Sequence, residues 1–349
     1  MNKGLALLEK LSLCFGPTSF EDDVEKAIRE ELSDTRAELF TDRMGNLTAH
    51  LVGPAGAPRV MLAAHMDEVG FMITEIDDQG FLRFDRVGGF NTRVVCGRFV
   101  TIRHGDTYVP GVIAAKGIHL QDKDERTKVP DFESMYIDIG ADTREQAEEL
   151  VSPGDLGTFS TPFATFGKNG EYMSGKALDD RLGCALLIEL LRELEKDPPA
   201  LDLWLCFTVR EEIGKSGALV TANRIKPDAA IVLETTAIAD LPDVDAAKRV
   251  ARVGDGGVLS LLDRGTIYDR GMVDFALETA KKGNIPVQVK RYVSGGNDAA
   301  RIQRSTLGVR CLALSAPTRY LHAPVSVAAV RDYEAMHKLL LAMLKDWSV

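Results

Sequence analysis

Residues 63–71 read AAHMDEVGF and follow the apolar run Val60, Met61, Leu62. A strand that ends in His65, Asp67 and Glu68 either opens into a solvated loop or offers ligands to a cation. Four other segments raise the same question: Asp179 and Asp180 in KALDDRLG, Glu211 and Glu212 in FTVREEIG, Glu234 in IVLETT, and His322 in RYLHAPVS. Each has an ordinary reading by itself. An Asp pair before a helix is an N-cap, a Glu pair after a strand is a solvated turn, and His322 is a loop histidine. Together, five separate segments carry metal-type ligands. His65, Glu211, Glu212 and Glu234 all follow apolar strands, at the edge where open α/β sheets bind ligands.

The set has an inorganic logic. Two His and an excess of carboxylates suit Zn2+, Co2+ or Mn2+. Two such ions roughly 3.5–4 Å apart need one carboxylate to bridge them. A further carboxylate must stay off the ions to take a proton from water. Glu211 and Glu212 can divide those duties, because consecutive side chains on extended backbone point in opposite directions. By the same geometry Asp67 falls on the side of His65 and can orient its imidazole.

The elements that must position these groups have two textures. Leu5, Leu8 and Leu11 share a face of an opening helix, and a second helix is expected over about 20–33, capped by Ser19 and striped by Val24, Ala27, Ile28 and Leu32. Strands are expected at 46–52 and 59–64. From about 73 to 168 the chain reads as short β-rich runs broken by Gly, Pro and Asp, with helical period only over 143–150. From about 172 it alternates: helices near 182–195, 216–224, 270–282 and 330–346, and strands at 203–209, 229–233, 286–293 and 309–314. Nearly continuous apolar strands between amphipathic helices predict a sheet buried on both faces. The expected fold is therefore an α/β, phosphorylase/hydrolase-like catalytic domain with a mixed sheet sandwiched by helices. It spans 1–72 and 169–349, interrupted by a small β-rich domain, barrel or PDZ-like, over 73–168.

Composition excludes several classes of function. A net charge of −10 argues against a nucleic-acid partner, which wants a basic face. No apolar stretch reaches the roughly 18 residues of a membrane span. Glu9 and Lys10 interrupt the N-terminal apolar region, which reads as an amphipathic helix rather than a signal peptide. Five scattered cysteines read as reduced thiols of a cytoplasmic protein. The glycines at 254–257 and 295–296 sit in no GxGxxG frame, which leaves dinucleotide binding little support.

In order and spacing, AAHMDEVGFM, GKALDDRLGC, REEIGKSGA, IVLETT and YLHAP resemble the binuclear metallo-aminopeptidases of the glutamyl and deblocking aminopeptidase family, M42, along essentially the whole chain. That resemblance implies two divalent ions, Zn2+ or Co2+ or else Mn2+, bridged by Asp180. His65 and Glu234 would complete one ion site, and Glu212 and His322 the other. Glu211 would be the general base, Asp67 the orienter of His65, and Asp179 a structural cap, the reverse assignment of the Asp pair being the alternative. Many relatives carry Asp where this chain has Glu234, and Asn297 replaces a Thr in the stretch GGNDAARI, where Gly295, Gly296 and Asp298 are candidate substrate contacts. The implied reaction is removal of N-terminal residues from peptides, with an acidic preference suggested by the family name. Lys290, Arg270 and Arg291 are the cations that could meet a substrate carboxylate. The implied assembly is a dimer-based tetrahedral dodecamer in which the insert joins subunits and shapes access. A dinuclear deacylase or carboxypeptidase of the related fold and a catalytically inactive binding relative are the alternatives; the position of the insert and the complete ligand set favour the aminopeptidase.

Overall fold

The structure, a computed structural model, describes residues 3–349. The chain opens with helices α1 (Lys3–Leu13) and α2 (Asp22–Glu31) and strands β1 (Glu38–Thr41), β2 (Leu47–Leu51) and β3 (Arg59–His65). Next come β4 (Gly70–Ile76), β5 (Leu82–Val87), β6 (Phe99–His104), β7 (Thr107–Ala114), β8 (Tyr136–Asp138), α3 (Arg144–Glu148) and β9 (Leu156–Phe159). After β10 (Ala164–Phe166) and β11 (Tyr172–Gly175), α4 (Leu178–Leu194) leads into β12 (Asp202–Thr208), α5 (Ser216–Ile225) and β13 (Ala229–Ala237). The chain ends with β14 (Gly257–Leu259), α6 (Arg270–Gly283), β15 (Val287–Val289), α7 (Ala299–Ile302), β16 (Arg310–Thr318), β17 (Ser326–Ala329) and α8 (Val330–Lys345).

Eight strands form one mixed sheet in the order β1-β2-β12-β3-β13-β16-β14-β15, and β12, β3, β13 and β16 are mutually parallel at its centre. β3 is buried from Val60 to His65 and β13 from Ala229 to Thr236, which requires cover on both faces and explains their unbroken apolar sequences. α4 packs on β3 and β13 and also meets α1 and α8; α5 covers β12 and β3, and α7 covers β13 and β16.

Strands β4–β9 close on themselves as an antiparallel barrel in the order β4-β5-β8-β7-β6-β9. Alternation drives it: Phe71, Ile73, Leu82, Ile102, Ile113 and Ile137 point into a hydrophobic cluster separate from that of the sheet. The barrel begins at Gly70 rather than 73, and its last strand ends at Phe159, short of 168. Residues 164–166 leave the barrel: β10 pairs with β11, and β11 with β17, in a three-stranded sheet.

Two local expectations are corrected. Ser19 does not cap α2, which starts after Glu21 without a side-chain cap; Ser19 adopts φ 76° and its N–H donates to Glu21. The strand expected over 286–293 shortens to β15, because the chain leaves the sheet and Lys290 turns its ammonium to the Ser294 carbonyl. Edge strand β1, whose alternation is obscured by mostly exposed residues, is additional to the expectation. No described helix is long and apolar enough to cross a membrane.

Candidate metal centre

Because β12, β3 and β13 run parallel, their carboxyl ends emerge together. β3 ends on His65, which lies in register with Thr208 at the end of β12. Glu211 and Glu212 follow β12 after Arg210, which takes a left-handed φ of 60° and turns the chain back across the edge. Glu234 lies on β13, Asp179 at the start of α4, and His322 in the loop after β16 at φ 55°.

The side chains converge on Asp179. Its Oδ1 lies 3.3 Å from Nε2 of His65, and its Oδ2 lies 3.3 Å from Nε2 of His322. Glu234 Oε1 stands 3.6 Å from the same His65 nitrogen, and Glu212 Oε1 stands 3.4 Å from that of His322. Two overlapping donor groups share Asp179, His65–Asp179–Glu234 and Asp179–Glu212–His322, and a third, His65–Glu211–Glu212, lies beside them; the ligand atoms of each group are within 4.8 Å of one another. Asp179 Oδ1 is buried without a hydrogen-bond donor, an arrangement costly in itself and relieved by a cation. The donor set therefore fits divalent ions with one shared carboxylate.

Asp179, rather than the expected Asp180, is the carboxylate that lies between the two His rings. Asp180 is fully buried and faces backbone, with Oδ1 accepting from the Gly183 N–H at 3.0 Å and Oδ2 from the His65 N–H at 3.3 Å. That is an N-cap geometry for the regular part of α4. Asp179 and Asp180 both have non-helical backbone angles, so their side chains diverge. A side chain at Gly183 would run into the Asp180 carboxylate, which accounts for the glycine.

Asp67 acts on two neighbours. Nδ1 of His65 is 3.0 Å from the Asp67 carbonyl oxygen, an acceptor only, so Nδ1 carries a proton and Nε2, which faces the cluster, is the nitrogen that would ligate a cation. The Asp67 carboxylate lies farther from that nitrogen, at 3.4 Å. It accepts instead from the N–H groups of Glu211 (2.9 Å) and Glu212 (3.1 Å) and from the Thr18 hydroxyl (2.7 Å), fixing the turn that carries both glutamates. Glu211 Oε1 accepts from Lys215 Nζ at 2.9 Å, and Glu211 groups with His65 and Glu212 rather than with Asp179.

The charges are strongly coupled. Burial opposes charge on Asp179, but the His322 and His65 rings beside it outweigh it and hold that carboxyl well below its usual range. Burial pushes Asp180 well above its usual value. Burial and the neighbouring Asp179 push Glu212 up to about 8 and Glu234 well above its usual range. Burial works against charging His322, yet Asp179 and Glu212 raise it to about 9.

A cavity of about 240 Å³ opens beside the cluster, lined by Glu211, Glu212, Glu234, Ser260, Asp263 and Lys290 among others. Gly295 and Gly296 line it, joined by Asn297. Asp298 does not face it: it is 2% exposed, and its Oδ2 accepts from Thr208 Oγ1 at 2.6 Å at the end of β12. Of the three cations considered, Lys290 reaches the cavity; Arg270 pairs with Asp274 on the surface, and Arg291 lies beside the Ala246 carbonyl.

The family profile described as M42 glutamyl aminopeptidase matches residues 45–339. A lysyl aminopeptidase of Pyrococcus furiosus is 34% identical over 348 residues, covering 97% of this chain and 96% of the relative. A glutamyl aminopeptidase of Lactococcus lactis is 30% identical, covering 94% and 92%. Among solved structures, a TET aminopeptidase from a marine sediment archaeon of the Thaumarchaeota superposes with a TM-score of 0.96 at 33% identity, covering 100% of this chain and 97% of the other. The TET1 peptidase of Pyrococcus horikoshii, which can assemble into a tetrahedron or a large octahedral shell, superposes with a TM-score of 0.87 at 33% identity, covering 98% and 99%.

Proposed function

The chain belongs to the M42 glutamyl aminopeptidase family and is an aminopeptidase, and on that premise we propose a co-catalytic dinuclear centre in which Asp179 is the shared ligand. His65 and Glu234 complete one site, and Glu212 and His322 the other. The observation that carries this reading is the approach of both His Nε2 atoms, at 3.3 Å each, to the two oxygens of one carboxylate. Zn2+ or Co2+, with Mn2+ as a third choice, would supply Lewis acidity: charge to polarise the scissile carbonyl and to bring a water's pKa toward about 7.

The protein supplies the rest. Glu211 accepts the proton of the attacking water and returns it to the leaving amine. Lys215 holds Oε1 of Glu211, which leaves Oε2 for the proton. Asp67 fixes Glu211 and Glu212 through their N–H groups, and its carbonyl sets the His65 tautomer. The substrate's free α-amine is received among carboxylates, which selects an N-terminus. Glu211→Gln tests the base: activity on free aminoacyl peptides should fall about 100-fold or more with cation content unchanged. A variant as active as wild type removes Glu211 from the role, and hydrolysis confined to N-acylated substrates would favour the deacylase.

An acidic N-terminal residue is the preferred substrate in this reading. Lys290 Nζ has one acceptor, the Ser294 carbonyl at 2.7 Å, and no carboxylate partner among the described residues. Asp263 beside it is fully engaged by the N–H groups of Gly265 and Thr266 and the Tyr268 hydroxyl. The ammonium is thus free to meet a substrate carboxylate. Lys290→Met should cut kcat/KM on glutamyl substrates about tenfold or more and leave leucyl substrates near wild type. Equal losses on both would remove Lys290 from specificity. We further assign the barrel to subunit assembly and access, in a dimer-based dodecamer located in the cytoplasm, where its five free cysteines stay reduced; solution mass tests the assembly.

A further inference from the structure

Glu68, next to Asp67, has no part in the proposed chemistry, yet it is 3% exposed and joins three segments of the chain. Its Oε1 accepts from Lys176 Nζ at 2.5 Å and from Arg181 Nη2 at 3.3 Å. Its Oε2 accepts from Thr158 Oγ1 at 2.8 Å, and Thr158 belongs to barrel strand β9. Lys176 precedes Asp179 and Arg181 follows it, so the two cations grip the Asp179 turn from both sides. Arg181 is fully buried and also donates to the carbonyls of Met66 (2.6 Å), Leu11 (2.7 Å) and Gly16 (3.2 Å). Met66 lies between His65 and Asp67. One carboxylate therefore ties together the strand end bearing His65, the turn bearing Asp179 and the wall of the barrel.

We infer that Glu68 is a positioning residue that sets the separation of His65 and Asp179, and that through Thr158 it makes cation binding in the sheet depend on the seating of the barrel. This rests on the dinuclear reading of the site. A geometry held from both flanks by charge-assisted hydrogen bonds is stiff, and metal ligands lose affinity when their supporting partners are removed. A core ion pair with no such role would affect melting alone.

The test is titration of the full chain, stripped of metal, with Co2+, whose visible absorption reports coordination geometry. Glu68→Gln should weaken Co2+ binding about 10–100-fold and alter the spectrum, with kcat reduced and KM little changed. Thr158→Val, which keeps the shape of the side chain and removes only its hydroxyl, should weaken binding in the same direction but less. If both bind Co2+ with wild-type affinity and spectrum, the inference is wrong. Should Glu68→Gln fail to fold, Thr158→Val decides alone, and wild-type behaviour there overturns the link to the barrel. A wild-type protein that takes up no Co2+ sinks the dinuclear reading itself, an outcome distinct from either variant result.

Discussion

The barrel and the sheet edge treat charge in opposite ways. The barrel buries Phe71, Ile73, Leu82, Val100, Ile102, Ile113 and Ile137, with Phe71 meeting Phe84 and Phe159 edge-on. The sheet edge buries His65, Asp67, Asp180, Glu211 and Glu234, and His65 forms candidate donor groups with Glu211 and with Glu234. Apolar burial stabilises each region through area removed from water, whereas buried carboxylates cost stability unless something offsets them. The barrel is thus the part selected for packing, and the edge is the part where stability is given up for a ligand. Substitutions should sort accordingly.

The largest effect should come at the edge. Asp179→Asn removes a charged oxygen from both donor groups and should lower activity by more than the roughly 100-fold typical of losing a supporting residue. Asp180→Asn keeps an oxygen able to accept from the Gly183 and His65 N–H groups, and its loss should be much smaller. Steady-state kinetics on both, beside cation stoichiometry, checks the pair; equal losses, or a larger loss for Asp180→Asn, would restore the reverse assignment.

That pair also marks the limit of what the sequence discloses. The helix-covered mixed sheet, the interrupting β-rich segment and the candidate His and Glu ligands can be read from apolar runs that end in ionisable residues. Which Asp turns inward depends on where α4 becomes regular. An expected start near 182 already placed Asp180 close to the N-cap, and Gly183 offered the N–H that caps it. Asp298 reads as a substrate contact because GGNDAARI resembles the family's segment near the substrate, but its partner, Thr208, is 90 residues away, and no local pattern encodes such pairing. The same holds for Glu68, whose partners Thr158, Lys176 and Arg181 come from beyond the barrel's first strands. The barrel ends misplace for a simpler reason: β10 and β11 are as β-rich as the barrel strands, and only their pairing with β17 separates them.

A barrel substitution should invert the result at Asp179. Ile137 is fully buried on β8, opposite Leu82. Ile137→Ala should cost about 2–5 kcal/mol of stability through lost burial and a cavity. Activity per folded molecule, measured well below the melting transition, should stay near wild type, because Ile137 touches neither the donor groups nor the Glu68 cluster. A parallel collapse of kcat would show that packing and chemistry are not separable here.

The smallest effect concerns pH, and it separates the two regions without changing a residue. In the metal-free protein, burial and Asp179 raise Glu212 from 4.5 to about 8. For His322, burial is outweighed by Asp179 and Glu212, which raise it from 6.5 to about 9. Between each pair of values the folded state holds a proton that the unfolded state has released, so stability falls as pH rises. The stabilisation of protonated His322 is complete below 6.5 and is lost as pH passes about 9. The penalty on ionised Glu212 is absent below 4.5 and grows until about 8. The two trends have the same sign, so the metal-free chain should melt at a lower temperature at pH 9 than at pH 6. Bound cations replace those protons, and binding should strengthen over the same interval and flatten the slope. Scanning calorimetry with and without Zn2+ reads both curves. Ile137→Ala should displace them downward with the slope intact, since its loss is apolar and carries no proton. A metal-free melting temperature that is flat or rising over this interval would mean that Glu212 and His322 do not share the charge that the geometry around Asp179 requires.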